Sequence, residues 1–381
     1  MAKRIFLYIL ALAMMLPATS LAQRLTHRVR MGVVLPLKEK SSRGAKMIEF
    51  YQGLLMAVDS VKHQGCSVDV TAVHSGFLAA DMDSLLATST LSGCDVIFGP
   101  LDTSQLPALA GYCDTHGIRL VVPFSSLATQ VPSHPRHYLV NAPRHMVQRQ
   151  AAWFVQTMFP QENFVIVESG EKNDEGSSLV EFVRSAVDGL GAVVRQISVN
   201  ASVEEFAAVL TEGNQNVLLL DSSTMPALNA LLAKLHQLAP AYPGCRFTLF
   251  GFPAWQSYAS QLQNDFFQFN TYIYTPFYRD GGDMGVQAVE QQFQQHFSRP
   301  MQPTYPRYGL LGFDLGYYFL SGLGMYGDQL EANLSAVPVR PLQSTLSFEQ
   351  QSPADGYINR FVQLVHYTNA QSIEILYRTN E

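Results

Sequence analysis

The chain has 381 residues, enough for two or three domains of about 100–200 residues and too many for one small module. Hydrophobic residues make up 47% and charged residues 15%, with 20 prolines and 26 glycines, which supplies an ordinary core and excludes a disordered, collagenous or coiled-coil chain. With 25 Lys and Arg against 31 Asp and Glu the formal charge is −6, and no basic cluster provides the face that nucleic-acid binding requires.

The N-terminus reads as an export signal. Lys3 and Arg4 precede an uncharged apolar run from Ile5 to Leu16, Pro17 breaks it, and Ser20-Leu21-Ala22 carries small residues where a signal peptidase cuts. Residues 1–22 are therefore expected to be removed, leaving a soluble periplasmic or otherwise extracytoplasmic protein. The apolar run is shorter than the about 20 residues that a membrane-spanning helix needs. Gln23 stands where a lipoprotein would have its cysteine. Four cysteines, Cys66, Cys94, Cys113 and Cys245, allow several pairings in an oxidising compartment. Cys94 and Cys113 fall at the same end of one layer, which makes a bridge between them an expectation.

In chain order, strand-like and helix-like runs alternate, the pattern of parallel sheets covered by helices. Arg30 to Pro36 reads as a buried strand, followed by a helix with Phe50, Leu54, Ala57, Val58 and Val61 on one face. Strands are predicted at Ser67 to Ser75, Asp95 to Gly99, Ile118 to Pro123 and Tyr138 to Asn141, with helices at Met82 to Leu91 and Ser104 to His116 between them. A second series starts at Phe164 to Glu168 and continues through strands at Val193 to Val199, Val217 to Asp221, Phe247 to Phe252 and Tyr272 to Phe277. Its helices are Leu179 to Leu190, a run opened by the Ser202/Glu205 capping box, and Pro226 to Leu238. Two long helices then follow with no strand between them, Val286 to Phe297 and Tyr308 to Tyr326, and the tail reads as a hairpin.

This order predicts an α/β protein of two doubly wound parallel-sheet lobes joined by crossover hinge segments. Residues 28–143 with 275–340 form the first lobe, and 144–274 with 341–381 the second.

The stretch Ile97 to Ser126, a strand, Gly-Pro-Leu, a Ser/Thr-containing turn, a helix and a strand ending in Pro123 before Ser125-Ser126, resembles the type I periplasmic binding proteins of the branched-chain amino-acid class. Met31 to Leu37, Asn163 to Ser169, Phe247 to Phe252 and the helix from Tyr308 fall in the same order, so the likeness spans about residues 29 to 378. The last helix is also similar to the binding-protein modules of peptidoglycan-associated LysM envelope proteins, although no peptidoglycan-binding repeat is visible. The resemblance implies a type I periplasmic binding protein fold and a small-molecule ligand between the lobes.

In such a fold ligands sit beyond the carboxyl ends of strands, where helix N-termini offer unpaired N–H groups. The candidate ligand-binding residues are accordingly Asp102, Thr103 and Ser104 after the third strand and Phe124, Ser125 and Ser126 after the fourth. On the opposing rim they are Asp174, Ser223 and Trp255. Asp102 or Thr103 could equally cap a helix, Ser125 and Ser126 could be turn residues, and Phe124 is large enough to fill part of the pocket. An amino-acid ligand needs an acid against its ammonium. None occurs in Phe252-Pro253-Ala254-Trp255, where the resemblance places it; Asp174 or Asp221 is the substitute considered, and a zwitterionic amino acid is disfavoured relative to an anionic, sugar-like or aromatic-bearing ligand.

No phosphate loop, dinucleotide fingerprint, nucleophile elbow or zincin motif is present, so neither catalytic residues nor a cofactor are assigned. His134 and His137 in Ser-His-Pro-Arg-His read as a solvated connection without a metal. The expected function is an exported solute-binding component of an ABC-type transport system. The alternative is a non-transport envelope scaffold or regulator of cell-wall assembly. The partners expected are a small molecule and a membrane transporter or cell-wall component, not nucleic acid.

Overall fold

The structure, a computed structural model, describes residues 27–124, 134–188, 190 and 192–377. The predicted signal segment, Ser125 and Ser126 lie outside the described residues. The first series of alternating runs gives β1 (Val29–Leu35), α1 (Ser42–His63), β2 (Val68–His74), α2 (Ala79–Leu86), β3 (Val96–Phe98), α3 (Leu106–His116), β4 (Arg119–Val122) and β5 (His137–Leu139). The second gives α4 (Arg144–Met158), β6 (Asn163–Glu168), α5 (Asp174–Asp188), β7 (Val194–Ser198), α6 (Val203–Ala207), β8 (Gln215–Leu220), α7 (Met225–Ala241), β9 (Arg246–Gly251), α8 (Ala259–Gln268) and β10 (Thr271–Thr275). The long helices α9 (Met284–Phe297) and α10 (Tyr308–Tyr326) follow, then β11 (Phe348–Glu349), β12 (Tyr357–Asn359), β13 (Gln363–Tyr367) and β14 (Ile373–Tyr377).

These strands form two seven-stranded sheets, ordered β11-β12-β5-β4-β3-β1-β2 and β14-β13-β10-β9-β8-β6-β7. In each, the first strand of its series lies between the second and third, paired parallel to both. That reversal of strand order opens a crevice at the carboxyl ends of β1 and β3 in one sheet and of β6 and β8 in the other. Among the described residues the antiparallel pairs are β11 with β12, β10 with β13, and β13 with β14. Val33, Val34, Val121 and their neighbours in the first sheet, like Val165, Leu218 and Leu249 in the second, are fully buried, as strands covered on both faces must be.

The assignment of everything after residue 340 to the second lobe needs correction. Tyr357 pairs with Tyr138 and Ile358 with Leu139, so β12 and β11 complete the first sheet, and only β13 and β14 join the second. Aromatic burial explains the capture, because Tyr357 stacks on Tyr138 at 5.1 Å and Phe348 meets the same ring edge-on at 5.3 Å. The chain thus passes between sheets between β5 and α4, between β10 and α9, and between Asn359 and Gln363.

The expected bridge from Cys94 to Cys113 is not formed, and all four thiols are free. Both are buried, Cys94 with its sulfur against Gly32 of β1, and burial pushes the Cys94 thiol up to about 11. His137, read from sequence as part of a solvated loop, opens β5 and is 1% exposed.

The returning helix α10 is buried along nearly its whole length and lies directly on α1. At their contact Gly53 of α1 faces the Gly309 carbonyl, and Gly312 of α10 faces the Phe50 carbonyl; a Cβ at either glycine would overlap that oxygen. Asp314, two residues on and 1% exposed, accepts the backbone N–H groups of Leu342 and Gln343 at 2.7 and 2.8 Å. It thereby ties the segment leading to β11 onto the first lobe. Burial outweighs these bonds and lifts the Asp314 carboxyl to about 7.

Two outcomes follow. Gly312→Ala forces a methyl group against the Phe50 carbonyl and is expected to lower stability by roughly 2 kcal/mol or more, read as a lower urea midpoint; an unchanged midpoint would show that the helices do not touch there. For Asp314 the unfolded chain gives up its proton near pH 4 and the folded chain near 7, so this group's contribution is greatest below pH 4 and is lost as the pH rises to about 7. The loss approaches about 4 kcal/mol. Urea midpoints of Asp314→Asn, compared with the parent at each pH, should lack this fall between pH 4 and 7; parallel curves would contradict it.

Candidate functional site between the lobes

The first rim begins where β1 ends. Ser41 caps α1 by accepting the Gly44 N–H at 3.1 Å, which sets Arg43 and Lys46 in the first turns of that helix. The Arg43 guanidinium lies 5.1 Å from the centre of the Phe77 ring and 3.7 Å from Asp102, and the Lys46 ammonium lies 5.8 Å over Tyr308. Beyond β3, Asp102 accepts both the N–H and the hydroxyl of Ser104, at 3.0 and 2.8 Å, and these donors hold its carboxyl below the usual carboxylate range. Thr103 and Ser104 remain exposed. Phe124, beyond β4, turns its ring into the lobe, edge-on to Phe50 at 4.8 Å and tilted to Tyr308 at 6.0 Å.

The second rim is acidic and rich in hydroxyls. Asn173 accepts the Gly176 N–H at 2.9 Å and so starts α5, and Gly176 lies so close to the Asp221 carbonyl that no Cβ fits between them. This approach brings the first turn of α5 onto the carboxyl end of β8. Three acids are then fixed by neighbouring hydroxyls. Asp221 accepts from the N–H and hydroxyl of Ser169 at 2.8 and 2.6 Å, and Glu171 from Ser222 and Thr224 at 2.6 and 2.7 Å. Glu175 accepts from Ser223 at 2.9 Å. The Ser222 and Thr224 hydroxyls hold the Glu171 carboxyl low.

The charge of Glu175 reaches the hinge. Together with burial, this charge pushes the phenols of Tyr274 and Tyr305 up. Tyr274 is 1% exposed, and its hydroxyl lies near Gln148 without closing a hydrogen bond. Tyr305, in the connection to α10, shares a 2.7 Å hydrogen bond with Thr275 at the end of β10, and Gln256 donates to Thr275 and to the Phe277 carbonyl at 2.8 and 3.0 Å. The hinge is thus stitched by side chains from both lobes.

Of the residues singled out from sequence, Asp102, Thr103 and Ser104 lie on one rim and Ser223 on the other. Asp174 is exposed one residue before Glu175. Trp255 is not at the rim. It is fully buried, standing over Gly251 and stacked on Phe266 at 6.1 Å, because the turn after β9 folds its ring back into the core. Sequence reasoning missed Glu171, Glu175, Arg43 and Lys46. The available signals were the pair Glu171 and Glu175 bracketing the Asn173 cap, and a run of three hydroxyl residues, Ser222 to Thr224, one strand away.

No family model and no curated protein matches the chain in sequence. Solved structures do match. A protein from Rhodospirillum rubrum assigned to branched-chain amino acid ABC transport is 14% identical with a TM-score of 0.65, over 92% of this chain and 100% of its own. The fold is that of the type I periplasmic binding proteins. An ABC-type branched-chain amino acid transporter from Rhodopseudomonas palustris shares it at 12% identity and a TM-score of 0.58, over 92% and 96% of the two chains. So does an ABC transporter substrate-binding protein from Desulfitobacterium hafniense in complex with Leu, at 14% identity and a TM-score of 0.53, over 92% and 100%. Each rim lies at the carboxyl ends of strands beside its sheet's reversal of order, where open parallel sheets hold ligands. Among the described residues, no helix is long and apolar enough to cross a membrane.

Proposed function

We propose that this protein is an exported solute-binding component of an ABC-type transport system and that it holds an amino-acid-like molecule between its lobes. The observation that carries this reading is Glu175, an acid on the first turn of α5, held by Ser223 and set beside Tyr274 and Tyr305 at the hinge. A ligand ammonium enclosed by the closing lobes needs such a partner, since an unpaired buried cation costs several kcal/mol. The opposite rim supplies what a ligand carboxylate needs, with Arg43, Lys46 and the exposed Thr103 and Ser104. The Desulfitobacterium hafniense relative in fold is in complex with Leu, which fits the same ligand class. The reading assigns no catalytic residue and no cofactor. It places the mature chain in the periplasm or outside the cell, with a membrane transporter as partner.

Phe124 favours a second reading. Its ring, packed on Phe50 and Tyr308, takes up room on the first rim, as in an envelope scaffold or regulator of cell-wall assembly whose cleft takes no ligand. That role suits the likeness of the last helix to LysM-associated modules.

Calorimetry of the mature protein with the common L-amino acids separates the two. On the transport reading at least one binds, and Glu175→Gln and Arg43→Ala each weaken it about ten- to a hundredfold, the loss expected for one charged hydrogen bond. Binding of none, or unchanged affinity in both variants, would contradict it.

A further inference from the structure

At the end of the first sheet remote from the cleft, the last turn of α3 meets the first residue of β5. Asp114, His134 and His137 converge there, and each offers a ligand atom, all within 4.8 Å of one another. The His137 Nε2 lies 2.9 Å from Asp114 Oδ1, and the His134 Nδ1 lies 3.6 Å from the same oxygen. The two imidazole rings are 4.9 Å apart.

The geometry around His137 is unusual. Its side chain is buried, yet neither ring nitrogen closes a hydrogen bond, although a carboxylate oxygen is in contact with Nε2. The oxygen therefore stands off the line along which an N–H would donate, and no proton is well shared between the two groups. A buried polar group without a partner calls for an explanation, and a cation seated among the three ligand atoms supplies one. His134 accepts the Arg136 N–H at Nδ1, at 3.2 Å, so that nitrogen is unprotonated and holds the lone pair that a cation would take over from Arg136. The Arg136 guanidinium is engaged elsewhere, donating to the Gly117 carbonyl at 2.9 Å with Asp328 at 3.9 Å.

We infer that Asp114, His134 and His137 form a binding site for a divalent cation of the zinc class, with the fourth position left to water. Two imidazoles and a carboxylate suit zinc, with bonds of about 2.0–2.2 Å, and donors arranged tetrahedrally around such an ion stand about 3.3 Å apart. The two contacts to Asp114 Oδ1, at 2.9 and 3.6 Å, bracket that spacing. The ion replaces the Arg136 N–H as the partner of His134 and gives His137 the partner it lacks. Its place explains its consequence. Asp114 belongs to α3 and His137 to β5, so the ion staples helix to strand beside the buried pair in which Arg119 donates to Glu331 at 2.7 and 2.9 Å. It lies away from the interlobe cleft and stabilises the first lobe without touching the solute.

The test uses the mature, tag-free protein stripped with a chelator and then titrated with zinc chloride by calorimetry. Cobalt chloride serves as a spectroscopic probe. One equivalent of zinc is expected to bind with micromolar or tighter affinity and to raise the melting temperature by a few degrees, reversibly with chelator. Cobalt is expected to give the visible absorption of a tetrahedral site. His134→Ala and Asp114→Asn alter partly solvent-exposed side chains and should leave the fold intact while weakening zinc by about tenfold or more and abolishing the cobalt bands. Absence of a one-equivalent zinc site would overturn the inference. So would zinc binding by both variants as tightly as by the parent, since the ion would then sit on other histidines.

Discussion

Everything else in this molecule depends on the direct backbone contact between α1 and α10. The chain leaves the first lobe, builds the second, and must then return. What receives it is a helix face with glycine at Gly53, laid against a helix with glycines at Gly309 and Gly312. Side chains at Gly53 or Gly312 would hold the helices apart and lose the close packing that makes α10 a buried element. The contact also sets the first rim. Arg43 and Lys46 stand two or three turns before Gly53 on α1, while Tyr308, which receives both Lys46 and the Phe124 ring, opens α10. A shift of one helix against the other moves the rim and the hinge tyrosine, Tyr305, together.

The second rim is built on a different principle. Here the close approach of Gly176 to the end of β8 brings a helix start against a strand end, and hydroxyls rather than cations share the acids among them. α1 thus carries basic residues, offset in part by Asp102 on the same rim, against acidic residues on α5 and its entry loop. On the proposed reading that asymmetry orients a dipolar ligand, its ammonium toward the acids of α5 and its carboxylate toward the basic residues of α1. The hydrogen bond between Tyr305 and Thr275 crosses from one lobe to the other at the hinge.

Much of this fold is legible in sequence because its local signals agree. Continuous apolar runs such as Phe164 to Val167 mark buried parallel strands, and Tyr308 to Tyr326 is a helix in both the pattern and the structure. The third passage between lobes was hidden for a physical reason. β11 and β12 are two and three residues long, too short for periodicity, and it is the pairing of β12 onto β5 and of β11 onto β12, with Tyr357 and Phe348 on the Tyr138 ring, that assigns them to the first sheet. The site was half legible. Asp102 to Ser104 and Ser223 follow from their places after strands, whereas Trp255 was misplaced because sequence does not show which way a turn throws its ring. The reading reached the first turn of α5 but took the exposed Asp174, because sequence does not show that it is the next residue, Glu175, that meets Ser223. Asp114 was overlooked as a neighbour of His134 and His137 since helix and strand meet there only in three dimensions.

The central claim is that the basic residues of α1 and the acids of α5 clasp a dipolar solute, and a crystal structure of the mature protein grown with the amino acid that binds it most tightly tests this most directly. The account predicts the ligand ammonium within about 3 Å of Glu175 and its carboxylate facing Arg43 and Thr103, with the lobes closed over it. A ligand held away from Glu175, or seated on the outer surface while the cleft stays empty, would contradict it.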